Sequence, residues 1–359
     1  MAVNFKFSLL TITIVVNILV YCNASAIKFD VDLEKVPSNA VACPAAEDIA
    51  PCTCKVGEGD VMDMDCSKVT SDAELASIFS KTFPSNTFRE LFIEFNREIT
   101  TLTADSLGAA TFTKIAITSC TQLKTIEENA FMASAATLEK LVLLKNDLSS
   151  FPFEEMSQYT KLNWLELSVN SITGWPALSS DTLANLILFR NPIGNIPVDA
   201  FQTLPNIEQF NCFDCSITEV EAGTFTRSPK LQKLVLGYNG LTSLPVGAIK
   251  LHGHGPTTSN LGITNNQIIS FPEGAVEGIQ GILGIDFNRV TSLSEEVWRP
   301  ILENLFQFSL LNNPLACVCD VMWLIDSPEL LAKIKGNPRC AGGKRLKNLD
   351  PAVFHAMCQ

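Results

Sequence analysis

Two cysteines with two residues between them stand near the middle of the chain, in "NCFDCS", Asn211 to Ser216. That spacing serves dithiol redox centres and forms half of many zinc sites. A second candidate is "LHGHG", Leu251 to Gly255, which places His252 and His254 two apart. Two imidazoles need a third ligand to make a metal site. The only other histidine, His355, lies about a hundred residues on. The acidic pair Glu295 and Glu296 reads as solvated turn residues. No G-x-S-x-G, P-loop or dinucleotide fingerprint occurs. Nothing brings an acid, a base and a nucleophile together, so the expectation is a chain with no catalytic residue, no metal and no cofactor.

The elements that must position these residues come from a repeat. "LQKLVLGYNGLTSLP", Leu231 to Pro245, aligns with "LEKLVLLKNDLSSFP", Leu138 to Pro152. Both read L-x-x-L-x-L-x-x-N-x-L-x-x-[LF]-P, which resembles the signature of leucine-rich repeats. The asparagine slot is held by Asn96, Cys120, Asn146, Asn170, Asn191, Cys215, Asn239, Asn266, Asn288 and Asn313, at steps of 24, 26, 24, 21, 24, 24, 27, 22 and 25 residues. An apolar residue follows ten positions after the slot in Met156, Phe201, Phe225, Ile249, Val276 and Trp298, and eleven after it in Leu107 and Phe131. The pattern predicts one short strand per unit, stacked in parallel about 4.8 Å apart. Apolar residues three and five before the slot point inward, as Leu234 and Leu236 or Leu186 and Leu188 do. The slot asparagine bonds backbone groups where the chain leaves the strand. No unit can bury its own apolar face, so the array is stable only as a stack. The fold class is an α/β repeat solenoid: a curved array with a parallel concave sheet.

Cys215 then occupies a slot, and Cys212 the inward position three before it. Three extended residues span roughly 10 Å, too far for a disulfide. The reading is of free, buried, structural thiols at Cys120, Cys212 and Cys215, which a raised pKa makes inert.

The ends need covers. Phe7 to Tyr21 is apolar, follows Lys6 and precedes "ASA", Ala24 to Ala26, so residues 1–26 read as a secretory signal. Residues 27–42 form a leader, 43–87 a cysteine cap and connector, 88–316 ten repeats and 317–359 a second cysteine cap. Export makes disulfides the default for the terminal cysteines, and signal cleavage leaves no stretch that anchors the chain in a membrane. No Asn-x-Ser/Thr sequon follows Asn23. The net charge is −12 and no basic block occurs. Such a chain is a poor partner for nucleic acid.

Function is expected on the concave face, formed by residues one, two, four and six before each slot. There it offers Val142, Leu144, Trp164, Ile187, Phe189, Phe213, Val235 and Tyr238, with Arg190 among them. Phe92 and Phe95 lie near one end, Phe287 and Leu311 near the other. Glu139, Lys140, Lys145, Glu166, Asp214 and Lys233 are interleaved. Aromatics with an arginine at their edge have the composition of binding hot spots, and a contiguous apolar run marks an interaction site.

The spacing C-x8-C-x-C-x11-C of Cys43, Cys52, Cys54 and Cys66 resembles the N-terminal cap of extracellular leucine-rich-repeat proteins. "NNPLACVCDVMWL", Asn312 to Leu324, with Cys340 and Cys358, resembles their C-terminal cap. The resemblance implies the pairings Cys43–Cys54, Cys52–Cys66, Cys317–Cys340 and Cys319–Cys358. Signal, leader, caps and repeats together, with "AVACPAAEDIAPCTC" (Ala40 to Cys54), are similar to the non-catalytic leucine-rich-repeat subunits of secreted shrimp luciferases. That resemblance implies processing after Asn39 and a small catalytic subunit as partner, in an assembly such as a heterotetramer. The partner would oxidise coelenterazine with oxygen to emit light. The other reading of the same repeats is a soluble extracellular recognition protein of innate-immune or matrix type.

Overall fold

A computed structural model describes residues 42–253 and 259–358. The expected signal peptide, the leader through Val41, His254 and Gln359 lie outside them. The dominant element is one twelve-stranded sheet. Its strands are β1 (Thr53–Val56), β2 (Met62–Asp65), β3 (Thr87–Glu94), β4 (Thr111–Thr118), β5 (Lys140–Val142), β6 (Trp164–Glu166), β7 (Asn185–Ile187), β8 (Gln209–Asn211), β9 (Lys233–Val235), β10 (Asn260–Gly262), β11 (Ile282–Gly284) and β12 (Gln307–Ser309). They lie in chain order. Only the β1–β2 pair is antiparallel; the others are parallel, as in β8 against β9. The strands β3 to β12 are the strands of the ten registered units.

The register follows the apolar pattern. Phe210 pairs with Leu186 on one side and Leu234 on the other, and all three are fully buried. The second landmark closes the core from the opposite side. Met156, Phe201, Phe225, Ile249 and Trp298 are all buried. Phe201 packs against Phe210 and Phe225 at 5.2 and 5.3 Å between ring centroids. In the ninth unit a helix, Glu295–Asn304, carries Trp298 onto Phe271 and Phe308 at 5.0 and 5.1 Å. Aromatic rings at these separations contribute about 1 kcal/mol each beyond the area they bury.

The slot asparagines form a ladder. Asn170, Asn191, Asn239, Asn266, Asn288 and Asn313 each donate through Nδ2 to the carbonyl three residues earlier and to its counterpart in the preceding unit, at 2.8–3.1 Å. Each Oδ1 accepts an N–H from the preceding unit, as Asn239 does from Ile217 at 2.9 Å. The residue before every slot is left-handed. Phe95, Ser119, Lys145, Val169, Arg190, Asp214, Tyr238, Asn265, Phe287 and Asn312 all have φ between 53 and 58°. That reversal takes the chain off the strand and swings the slot side chain inward.

The same reversal corrects the expectation for two cysteines. Cys212 and Cys215 are not free thiols: they are joined by a disulfide, with Cα atoms 5.4 Å apart. The strand ends at Asn211, and left-handed Asp214 folds the chain back, so the extended span assumed from the sequence does not apply. Cys120 is the one free cysteine among the described residues, and it is buried.

Both ends of the stack are covered. Disulfides Cys43–Cys54 and Cys52–Cys66 tie down the hairpin of β1 and β2. A helix, Asp72–Phe79, follows them, with its first turn capped by the Ser71 hydroxyl accepting from the Glu74 N–H. At the other end Cys317–Cys340 and Cys319–Cys358 hold three short helices, and Ile334 bridges Phe308 on the last strand. No helix of the described residues is long and apolar enough to cross a membrane.

Replacing Asn239 with alanine strands the Cys212 carbonyl and the Cys215 and Ile217 N–H groups, while the Leu236 carbonyl keeps Asn266, and should cost about 3 kcal/mol; Asn304→Ala, at an exposed helix end, should cost under about 1 kcal/mol. Chemical denaturation of the two variants measures the contrast. Burial pushes the Cys120 thiol up from 9.0 to about 11. Iodoacetamide at pH 8 should therefore leave Cys120 unmodified in the native protein and label it once the chain is unfolded. The fold retains a proton that the unfolded chain releases, so the Cys120 contribution to stability is intact below pH 9.0 and falls as pH rises toward about 11.

Candidate functional site

The open face of the sheet is built by register. Positions six before the slot align Lys114, Lys140, Trp164, Asn185, Gln209 and Lys233; positions four before it align Ala116, Val142, Glu166, Ile187, Asn211 and Val235. Because strand side chains alternate, both rows point away from the leucine core. Positions two before the slot, past the last paired residue, continue the face with Leu144, Ser168, Phe189, Phe213 and Gly237.

The proposed contact residues separate into two groups. Phe189, Phe213 and Tyr238 form a continuous stack of mutually tilted rings at the strand exits, with centroids 5.4 and 4.7 Å apart and planes inclined by 58° and 38°. Arg190 lies over the Phe189 ring at 5.1 Å and pairs with Asp214 at 3.4 Å. Trp164 lies at the other end of the strands, about 13 Å away along the strand direction. Lys140 sits 4.2 Å from the Trp164 ring centroid, and the indole N–H donates to Glu166 at 3.4 Å. Val142, Leu144 and Val235 are half-buried between the groups. Ile187 faces the same side but is only 6% exposed, so it offers a partner almost no area.

Sequence reasoning missed Gly237. A Cβ there would meet the Phe213 ring at 2.9 Å. The glycine is what lets that ring lie over the sheet against Tyr238. Gly262 and Gly284, paired on the next two strands, likewise put no side chain on this face, and Thr264 lies beside Gly237 and Gly284. The signal was present in the sequence as glycines at outward strand positions, where strand propensity disfavours them. Tyr238, Phe95 and Phe287 are 54%, 73% and 52% exposed and all left-handed. Large side chains in that conformation cost about 1 kcal/mol each, and none of the three repays it in the core.

The remaining candidates do not converge. His355 pairs with Asp326 at 3.1 Å on the C-terminal cap, and His252 lies on a different unit. Glu295 pairs with Arg299 along its helix. Among the described residues no three His, Cys, Asp or Glu side chains are placed to hold a metal ion. The face can bury apolar and aromatic surface and pair charges at its rim, which is the chemistry of docking a protein.

Gly237→Ala should push the Phe213 ring aside at a cost under about 1.5 kcal/mol, because the clashing atoms end a movable side chain. Near-ultraviolet circular dichroism should report the broken stack while the melting temperature changes little.

No family model matches the chain. A stretch of 156 residues, 41% of the chain, is 33% identical to leucine-rich repeat-containing G-protein coupled receptor 5 of Rattus norvegicus and spans 16% of that protein. A stretch of 176 residues is 24% identical to mimecan of Mus musculus, covering 42% of this chain and 57% of mimecan. The chain thus spans less than two thirds of either relative, and neither name is that of an enzyme. Among solved structures, a chain of the octameric complex of Latrophilin 3, Unc5D and FLRT2 superimposes with a TM-score of 0.65 at 21% identity, over 86% of this chain and 98% of that one. A leucine-rich-repeat protein of Leptospira interrogans superimposes with a TM-score of 0.52 at 20% identity, over 76% and 71%. Register, slot ladder and structural likeness agree, and the chain is a leucine-rich-repeat protein closed by disulfide-bonded caps.

Proposed function

We propose that this protein is a non-catalytic, secreted binding scaffold whose sheet face docks the small catalytic subunit of a secreted luciferase, of the kind found in the shrimp Oplophorus. The observation that carries the docking role is the Phe189–Phe213–Tyr238 stack, flanked by the Arg190–Asp214 pair. Clustered aromatics beside an arginine have the composition of binding hot spots. The choice of partner rests on the sequence resemblance. A small protein that handles an apolar luciferin is itself prone to expose apolar surface. An acidic solenoid that covers that surface and adds a net charge of −12 keeps the pair dispersed. The scaffold would then solubilise and stabilise the enzyme without supplying a reacting group.

The second reading is a soluble extracellular recognition protein. The comparisons favour it as the broader description, because the similar proteins are a receptor, mimecan and a chain from a multi-protein complex. The five disulfides of the described residues suit either reading, since both place the chain in an oxidising compartment.

Co-expression with the catalytic subunit, followed by size-exclusion with luminescence read across the fractions, separates the two. The luciferase reading expects light to co-elute with this chain and recovery to collapse without it. Light eluting alone, with the scaffold running free, would leave the recognition reading. Phe189→Asp or Trp164→Asp should weaken the complex by about 2 kcal/mol or more, while Val246→Asp, at an exposed position away from the strands, should leave it intact.

A further inference from the structure

The Cys212–Cys215 disulfide lies directly beneath the docking face. Both sulfurs are fully buried, and the bond closes a loop with a sequence separation of only 3. By comparison Cys319–Cys358 closes one of 39. A bond across so short a loop removes little freedom from the unfolded chain. It is therefore a weak device for stabilising the whole array.

The fold also shows what the same position looks like without a bond. Cys120 occupies the equivalent slot in the second unit as a free thiol, and donates to the Ile93 carbonyl at 3.4 Å. The Cys215 sulfur sits 3.4 Å from the Leu188 carbonyl, the equivalent acceptor. Oxidised, it has no proton to donate, and Leu188 is satisfied instead by the Asn191 amide at 3.0 Å. Reduced, it would donate there as Cys120 does to Ile93. The slot thus tolerates either state, and the neighbouring asparagine contacts, from Asn239 Nδ2 to the Cys212 carbonyl and from the Cys215 N–H to Asn239 Oδ1, engage only the backbone of the two cysteines.

What the bond encloses is Phe213 and Asp214. These are the central ring of the aromatic stack and the carboxylate that pairs with Arg190. Asp214 is also the left-handed hinge of the turn. We infer that the Cys212–Cys215 disulfide is a clamp that pre-organises the docking face, holding Phe213 and Asp214 in their binding geometry, and that its reduction loosens that face without unfolding the array. Reduction takes two electrons and two protons from an external dithiol, which is itself left as a disulfide, and gives two buried thiols. Holding a contact loop in its bound conformation raises affinity by removing an ordering cost at the moment of binding. This inference rests on the docking role assigned to Phe213, but the clamp itself can be tested without any partner.

The variant to make carries Cys212→Leu and Cys215→Asn together, the residue types that other units hold at these positions. Amide hydrogen exchange on the free, oxidised protein and on the variant is compared, together with the melting temperature. The clamp predicts exchange at Phe213 and Asp214 faster by about tenfold, with the Leu188 and Leu236 amides and the melting temperature nearly unchanged. Affinity for the small catalytic luciferase subunit, used as probe, should fall about tenfold through faster dissociation. Unchanged exchange at Phe213 and Asp214 would overturn the inference. So would a general loss of protection across the array, which would make the bond a staple of the fold. If the exchange contrast appears but neither protein binds the probe, the clamp stands and the choice of partner fails.

Discussion

The structure depends on one polar constraint. At the end of every strand the chain must turn, and turning leaves carbonyls and N–H groups facing an apolar interior. An unmade bond of this kind costs about 1–3 kcal/mol, so a ten-unit array could not carry it repeatedly. The slot side chain removes the cost by bonding backward to the previous unit and to its own. The left-handed residue before the slot is the geometric condition for that contact. Leucine burial supplies the larger favourable term, but it is non-directional. The ladder converts a hydrophobic stack into one with a fixed register.

Much of this was legible in the residues. The leucines three and five before each slot, and the asparagine itself, announce strand, inward face and turn. Leu107, Phe131 and Met156, spaced after the slot, announce the opposite wall. The left-handed row was not legible, because Phe95, Val169 and Arg190 are not residue types that favour positive φ. Asparagine or aspartate stands there only at Asp214, Asn265 and Asn312, too few of the ten positions to announce a row. That omission led directly to the error at Cys212 and Cys215. An extended segment separates them; a left-handed Asp214 brings them together.

The face was legible in composition and less so in arrangement. Counting outward positions picks out Trp164 and Phe213 alike. It cannot say that Phe213 belongs to a stack at the strand exits while Trp164 lies at the strand entrances under Lys140. Nor can it say that neighbours cover Ile187. These follow from the lengths of neighbouring side chains and from Gly237, whose missing Cβ sets the tilt of a ring one unit away. Side-chain packing between units is a property of pairs, and a one-unit consensus averages it out.

Each slot asparagine reaches back by one unit and no further. Cohesion is therefore passed from neighbour to neighbour, and no contact in the ladder records how many units the stack contains. Lengthening or shortening the array by a whole unit leaves every remaining ladder bond with its proper partner, provided the disulfide-bonded ends are kept. The left-handed row gives each unit one outward side chain whose direction is fixed by backbone and whose identity the core does not read. Such a chain can change the breadth of its grip by duplicating units and its chemistry by substituting single residues, with the two changes nearly independent of each other and of stability.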